Sequence, residues 1–281
     1  MEIKRVREVA ESAARFVGER IKEAVFTPAS VVVKQKGVRD LVTEIDLWAE
    51  EEIKRFVRDT FPDHLVFGEE SGQAMENATG KTWCELINEN ICWIVDPLDG
   101  TTNFVNRIPH VAVSIGVLAG GERVFGLVFD ICRDELFTAV RGHGAFLNGR
   151  IIKAAGKKEL IDAVCATGLP SDMGEPWLRH QNVFDAFVRN CHKVRIYGSA
   201  ALDLCWTACG RLDAFFEYGL KPWDVAGRSV IVEEAGGNIA AFAAPETGHF
   251  SLFGRSFLAA APALFPQMLH LAHDADQRVK N

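Results

Sequence analysis

Apolar residues recur at helical spacing over residues 2–22, where Ile3, Val6, Val9, Ala13, Phe16, Val17 and Ile21 share one face; the pattern predicts an opening amphipathic helix. A second helix is predicted from about Glu44 to Asp59, with Ile45, Trp48, Ala49, Ile53, Phe56 and Val57 on its apolar side. Thr43-Glu-Ile-Asp46 supplies its capping box, in which two side chains satisfy backbone N–H groups of the first turn. The run Ile91-Cys-Trp-Ile-Val95 reads as a buried strand stopped by Asp96-Pro97. Strand-like stretches follow at 111–118, 123–129 and 135–140, with turns at Gly120-Gly121 and Asn148-Gly149. The second half alternates: strands near 163–168, 193–197 and 212–217, helices near 177–190, 199–209 and 223–235. Hairpin-like strands flanked by helices predict a layered α+β fold, not a doubly wound sheet.

Composition narrows the function. The chain has 281 residues, 48% hydrophobic and 25% charged, with a formal net charge of −7. Its mean hydropathy is +0.04 and its pI is near 5.7. That describes a globular chain able to bury a sizeable core, and it disfavours nucleic acid or a membrane surface as a charge-bound partner. No apolar run approaches the ~20 residues of a membrane span. Glu2, Lys4, Arg5, Arg7, Glu8 and Glu11 leave no room for a secretory leader, so a cytoplasmic protein with seven reduced cysteines is expected. On that expectation Asn77-Ala-Thr79 is a polar loop and not a glycosylation acceptor.

The chemistry concentrates in Trp93-Ile-Val-Asp96-Pro-Leu-Asp99-Gly-Thr101-Thr-Asn-Phe104. A strand delivers one carboxylate at its end, and a second follows three residues later. Hard divalent cations such as Mg²⁺ take oxygen ligands of this kind. Gly100, Thr101 and Thr102 then stand where a helix begins, with backbone N–H groups free to meet an anion. Asp, Pro and Gly are also ordinary turn residues, but the five apolar residues before the turn argue for a site. Two further acidic positions agree. Phe67-Gly68-Glu69-Glu70-Ser71 again places a carboxylate at a strand end, and Trp223-Asp224-Val-Ala-Gly opens a helix after Lys221-Pro222. Each has a plain explanation, a solvated acidic pair in one case and complementation of the helix dipole in the other.

Taken in order, Gly68-Glu69-Glu70-Ser71, Asp96-Pro-Leu-Asp99-Gly-Thr101-Thr-Asn and Trp223-Asp224-Val-Ala-Gly resemble the inositol monophosphatase family. Asp40-Leu-Val-Thr43-Glu-Ile-Asp46, Gly198-Ser-Ala200-Ala201 and Asp213-Ala-Phe-Phe-Glu217 extend the likeness to nearly the whole chain. The resemblance implies a single αβαβα sandwich over residues 1–281, of the type shared with fructose-1,6-bisphosphatase. The half to about residue 150 would carry most metal ligands, and the half from about 151 would carry Asp224 and the substrate contacts. It implies a lithium-sensitive phosphatase using two or three Mg²⁺ ions, a homodimer, and inositol 1-phosphate as substrate. Glu69, Asp96 and the Leu98 carbonyl would hold one ion; Asp96, Asp99 and Asp224 would hold another. Phosphate would rest on the ions and on the N–H groups of Gly100 and Thr101, with Ala200 and Glu217 touching the alcohol. Glu69 and Thr101 would align the attacking water, and Asp46 would accept the threonine's hydrogen bond, a role its capping box also explains.

Other readings are weaker. Cys205-x₅-Arg211 has the spacing of cysteine-dependent phosphatases but lies in an apolar helical stretch without the glycine-rich loop that chemistry needs. Cys205 and Cys209, or His270 and His273, lack partners for a zinc site. No G-x-S-x-G elbow is present. Fructose 1,6-bisphosphate, histidinol phosphate and a nucleotide 2′- or 3′-phosphate remain open as substrates, as does a binding role in a bacterial transcription complex. The segment 71–92 is expected to form a lid or a dimer contact, and Lys36 to be solvated or to lie near the site.

Overall fold

The computed structural model describes residues 2–27, 33–37, 40–71, 82–154, 156–170, 172–243 and 250–278. Helix α1 (Ile3–Phe26) is followed by a hairpin of β1 (Val33–Gly37) and β2 (Asp40–Thr43), then by α2 (Glu44–Thr60). β3 (Leu65–Gly68), α3 (Trp83–Glu89), β4 (Ile91–Asp99) and the short α4 (Thr101–Val105) come next. β5 (Ala112–Ala119), β6 (Glu122–Asp130), β7 (Glu135–Val140), β8 (Ala145–Leu147) and β9 (Arg150–Ile152) form a meander. The remainder is β10 (Val164–Thr167), α5 (Glu175–Asn190), β11 (Lys193–Arg195), α6 (Ala200–Ala208), β12 (Ala214–Tyr218), α7 (Pro222–Glu234), β13 (Asn238–Ala240), β14 (Ser256–Ala260) and α8 (Phe265–Gln277).

These elements stack in five layers. Strands β3 to β9 make a seven-stranded sheet in sequence order, antiparallel except for the parallel β3–β4 pair. The second sheet has the order β11-β10-β12-β14-β13. α1 and α2 cover the outer face of the large sheet; α6 and α7 lie between the sheets; α5 and α8 cover the outer face of the small one. The expected αβαβα sandwich is therefore present. Each interface has its own apolar core, for example Val6, Ile21, Ile53 and Val113 outside the large sheet and Phe187, Phe216 and Met268 outside the small one.

The middle layer fits by removal of side chains. Gly116 on β5 pairs with Gly126 on β6, and α7 sits on that pair through Gly227. A Cβ on Gly126 would stand 2.0 Å from the Gly227 carbonyl oxygen, and one on Gly227 would stand 2.5 Å from the Ile115 carbonyl oxygen. Helix and sheet backbones thus touch directly, just below Asp224.

One strand departs from its predicted end. β4 does not stop at Val95 but runs through Asp96-Pro97 to Asp99. Asp96 pairs with Ser114 and Asp99 with Ala112, so β4 carries an extra residue there. Such a bulge tolerates a proline, which has no N–H to donate, and re-aims the side chains around it. The β1–β2 hairpin, α3 and the β13–β14 pair carry no clear pattern of their own. β14 (Ser-Phe-Leu-Ala-Ala) is poor in strand-forming residues, and pairing with β12 and β13 makes it a strand.

Candidate functional site

The bulge turns both aspartates of β4 toward the start of α7. Asp96, Asp99 and Asp224 each bring a carboxylate oxygen within 4.8 Å of the others. They line a cleft of about 510 Å³ together with Glu69, Leu98, Gly100 and Thr101. Of the expected site residues, Ala200, Glu217 and Asp46 do not line it. The donors are carboxylate and carbonyl oxygens, a set suited to a hard divalent cation and unsuited to a thiophilic metal.

Each carboxylate is fixed by backbone or hydroxyl donors. Asp96 Oδ1 accepts the Leu98 N–H at 3.2 Å. Asp99 Oδ2 accepts the Ala201 N–H at 3.1 Å and the Ser199 hydroxyl. Asp224 Oδ2 caps α7 by accepting the Lys221 N–H at 2.7 Å. Gly100 holds a left-handed φ of +94°, and a Cβ there would stand 3.0 Å from the His110 carbonyl oxygen, so the turn into α4 requires glycine. Asn103 then ties α4 to the loop ahead of α6, donating to the Tyr197 carbonyl at 2.8 Å and to that of His110 at 2.9 Å.

Comparison with known proteins agrees with this arrangement. Residues 2–277 match the model of the inositol monophosphatase family. The chain belongs to that family. It is 39% identical over 261 residues to the Nus factor SuhB of Escherichia coli K12, covering 93% of each chain. Among solved structures, the extragenic suppressor protein suhB of Bartonella henselae superposes with a TM-score of 0.83 at 31% identity, covering 95% of this chain and 98% of that one. The IMPase of Thermotoga maritima superposes with a TM-score of 0.80 at 27% identity, over 97% and 98%. The family is one of metal-dependent phosphatases, in keeping with the acidic cluster.

Asp46 does two things at once. Its Oδ2 accepts from the Thr43 N–H at 2.9 Å and from the Thr43 hydroxyl, which completes the capping box. Its Oδ1 lies 3.1 Å from the Thr101 hydroxyl, which also has the Leu98 carbonyl within 3.2 Å. The capping and threonine-binding roles fall on different oxygens and do not compete. Burial raises the Asp46 pKa, and its hydrogen bonds with Thr43 and Thr101 oppose that rise.

Three features of the site escape a reading of the motifs. Arg228, one turn beyond Asp224, is fully buried and places Nη2 2.5 Å from Asp96 Oδ2 and 3.1 Å from Asp99 Oδ1. Burial opposes its charge, but Asp99, Asp96 and Asp224 outweigh burial and hold its pKa above the ordinary value. Second, Glu50 accepts the Glu70 N–H at 2.8 Å and pairs with Lys54 at 2.8 Å, behind the loop that carries Glu69. Its carboxylate fills the space that a Cβ on Gly68 would need, which explains the glycine in the Gly-Glu-Glu motif. The signal was a polar row, Asp46, Glu50 and Lys54, at four-residue steps along α2. Third, Asp203 is a buried acid whose pKa burial pushes well up, as it does that of Glu217, which the motifs did single out. Glu217 lies behind Gly168, which lines the cleft.

Of the segment 71–92, residues 72–81 lie outside the described residues. Trp83, Leu86 and Ile87 of α3 pack on Phe67, Cys92 and Ile94. The Lys36 side chain is likewise outside the described residues. Cys205 is fully buried and its thiol pKa is pushed well up by burial, so it is no nucleophile. Among the described residues, no helix is long and apolar enough to cross a membrane.

Proposed function

We propose that the chain is a Mg²⁺-dependent, lithium-sensitive phosphatase that hydrolyses a small phosphate monoester, with inositol 1-phosphate as its substrate. The reading is carried by the convergence of Asp96, Asp99 and Asp224 at the wall of a cleft that also presents Glu69 and Thr101. Glu69, Asp96 and the Leu98 carbonyl would form one ligand group, and Asp96, Asp99 and Asp224 the other. Divalent ions bound there supply a water of lowered pKa and neutralise the charge that develops on the leaving alkoxide.

The chain's own residues do the positioning. Asp46 accepts the hydrogen bond of the Thr101 hydroxyl, which leaves the threonine's lone pairs to accept a hydrogen bond from the attacking water and orient it. Glu69 holds the same water from the opposite loop. The Gly100 and Thr101 N–H groups receive the phosphate oxygens. Glu217 acts on the alcohol half of the substrate through the Gly168 wall, and Ala200 through the α6 start. The proposal includes a homodimer acting in the cytoplasm.

The test is phosphate release from inositol 1-phosphate, fructose 1,6-bisphosphate, histidinol phosphate and a 3′-phosphoadenosine nucleotide, with Mg²⁺ and with Mg²⁺ plus Li⁺. Fast, lithium-inhibited release from inositol 1-phosphate is expected. Release confined to another ester would replace the substrate and keep the chemistry; release from none would remove the enzymatic reading. A second role is favoured by one observation, that curated relatives at 39% identity carry the name Nus factor SuhB. A role as a partner in a bacterial transcription complex predicts binding that survives loss of the metal ligands, so Asp96→Asn should keep the partner while losing turnover.

A further inference from the structure

The carboxylate oxygens that the loops and helix caps leave free share one neighbour. Asp96 uses Oδ1, Asp99 Oδ2 and Asp224 Oδ2 on backbone and hydroxyl donors. Their other oxygens face Arg228: Asp96 Oδ2 at 2.5 Å, Asp99 Oδ1 at 3.1 Å and Asp224 Oδ1 at 3.6 Å. The guanidinium is itself held in place, with Nη1 donating to the Asp224 carbonyl at 2.6 Å and Nε to Ser114 Oγ at 3.3 Å. Arg228 has 0% of its surface exposed.

A guanidinium and a Mg²⁺ ion cannot share these oxygens. The ion needs carboxylate oxygens at about 2.0–2.1 Å in near-octahedral array, whereas the fork already bonds Asp96 Oδ2 and Asp99 Oδ1 by charge-assisted hydrogen bonds and stands 3.6 Å from Asp224 Oδ1. Arginine does not deprotonate to make way. Nor can it leave cheaply, since a buried guanidinium without its acids is an uncompensated charge.

We infer that Arg228 is a resident counter-cation that holds Asp96 Oδ2, Asp99 Oδ1 and Asp224 Oδ1 in place of one divalent ion, leaving Glu69, the Leu98 carbonyl and the second lone pair of Asp96 Oδ1 to bind a single exchangeable ion. This rests on the metallophosphatase reading and replaces the ion of its Asp96, Asp99 and Asp224 group by the arginine. The chain then needs no metal to keep its acidic cluster folded, and it binds fewer ions than its carboxylates alone would hold.

The probe is Mn²⁺, titrated into the full chain and counted by electron paramagnetic resonance, alongside thermal melts in EDTA and in Mn²⁺. The wild type should bind one ion per chain and stay folded in EDTA, melting below the Mn²⁺-bound protein only by what one bound ion contributes. Arg228→Ala should bind a second ion, lose about 10 °C in EDTA and recover most of that loss in Mn²⁺. Arg228→Lys, which keeps the charge, should stay at one ion. If Arg228→Ala does not fold in EDTA, folding only with Mn²⁺ supports the inference, and the wild-type count decides alone. Two ions per wild-type chain would overturn the inference and leave the phosphatase reading standing. No ion on either folded protein would overturn both.

Discussion

Two groups of acids lie at the heart of this sandwich, and only one of them is ion-paired. Asp96, Asp99 and Asp224 face a buried cation. Asp203 and Glu217 both feel the charge of Asp99, and neither is ion-paired with a cation among the described residues, although Arg228 pulls weakly on Glu217. Asp203 Oδ1 is buried without a hydrogen-bond partner among those residues. In the first group the guanidinium pulls against desolvation: Asp224 reaches only about 6, while for Asp96 desolvation and the neighbouring acids still win and hold it well above the ordinary carboxylate value. In the second, desolvation and repulsion act together, outweigh the weaker pull of Arg228 on Glu217, and drive both acids toward the neutral form. The lesson is that acidity in a sequence does not equal negative charge in a fold; a buried acid stays ionised only as far as a neighbouring cation offsets its loss of solvent.

Removing a charge from the first group should have the largest effect. Asp96→Asn is expected to lower Mg²⁺-dependent phosphate release by on the order of a hundredfold to a thousandfold with the fold intact by circular dichroism. Retained turnover would take Asp96 out of the metal centre. Arg228→Ala comes next, because it strands three acids without their cation. A loss of roughly 3–5 kcal/mol of stability in EDTA is expected from chemical denaturation. An unchanged midpoint would show that the acids do not depend on the arginine.

The second group should respond with the opposite sign. A carboxyl whose pKa is raised by folding keeps its proton in the native state after the unfolded chain has lost its own. Its stabilising contribution is therefore present below about pH 4 and is lost as pH rises toward the folded value. Asp203→Asn, neutral at every pH, should flatten that decline and leave the melting temperature at pH 7–8 unchanged or higher. A clear fall there would mean that Asp203 is ionised and paired in solution. The smallest effect is expected from Glu217→Ala, a several-fold change in preference among sugar phosphates with little change in turnover of a generic aryl phosphate. Equal loss on both would remove Glu217 from substrate selection.

Much of this architecture was legible because it is local. The capping box of Thr43 and Asp46, the paired acids of Asp96-Pro-Leu-Asp99 and the helix start at Asp224 lie within a few residues of one another, and turn, cap and strand chemistry fix their geometry. Arg228 was not legible, since its partner Asp96 is 132 positions away and only the stacking of α7 on the large sheet joins them. The same holds for Glu50 behind Gly68, and for the end of β4, where the pairing with β5 keeps a proline inside a strand.

The glycine seat under α7 has a mechanical consequence. Most helices rest on sheets through side chains, whose rotamers give the contact some compliance. Here Gly116, Gly126 and Gly227 leave backbone against backbone, with no torsion free to take up a displacement. Asp224 and Arg228, three residues before and one after the seat, are thereby referenced to the strand that carries Asp96 much as two jaws are referenced to one hinge pin. A methyl group at Gly227 would act as a shim: it would lift the α7 jaw and spoil the alignment of the cleft without touching a single charged atom.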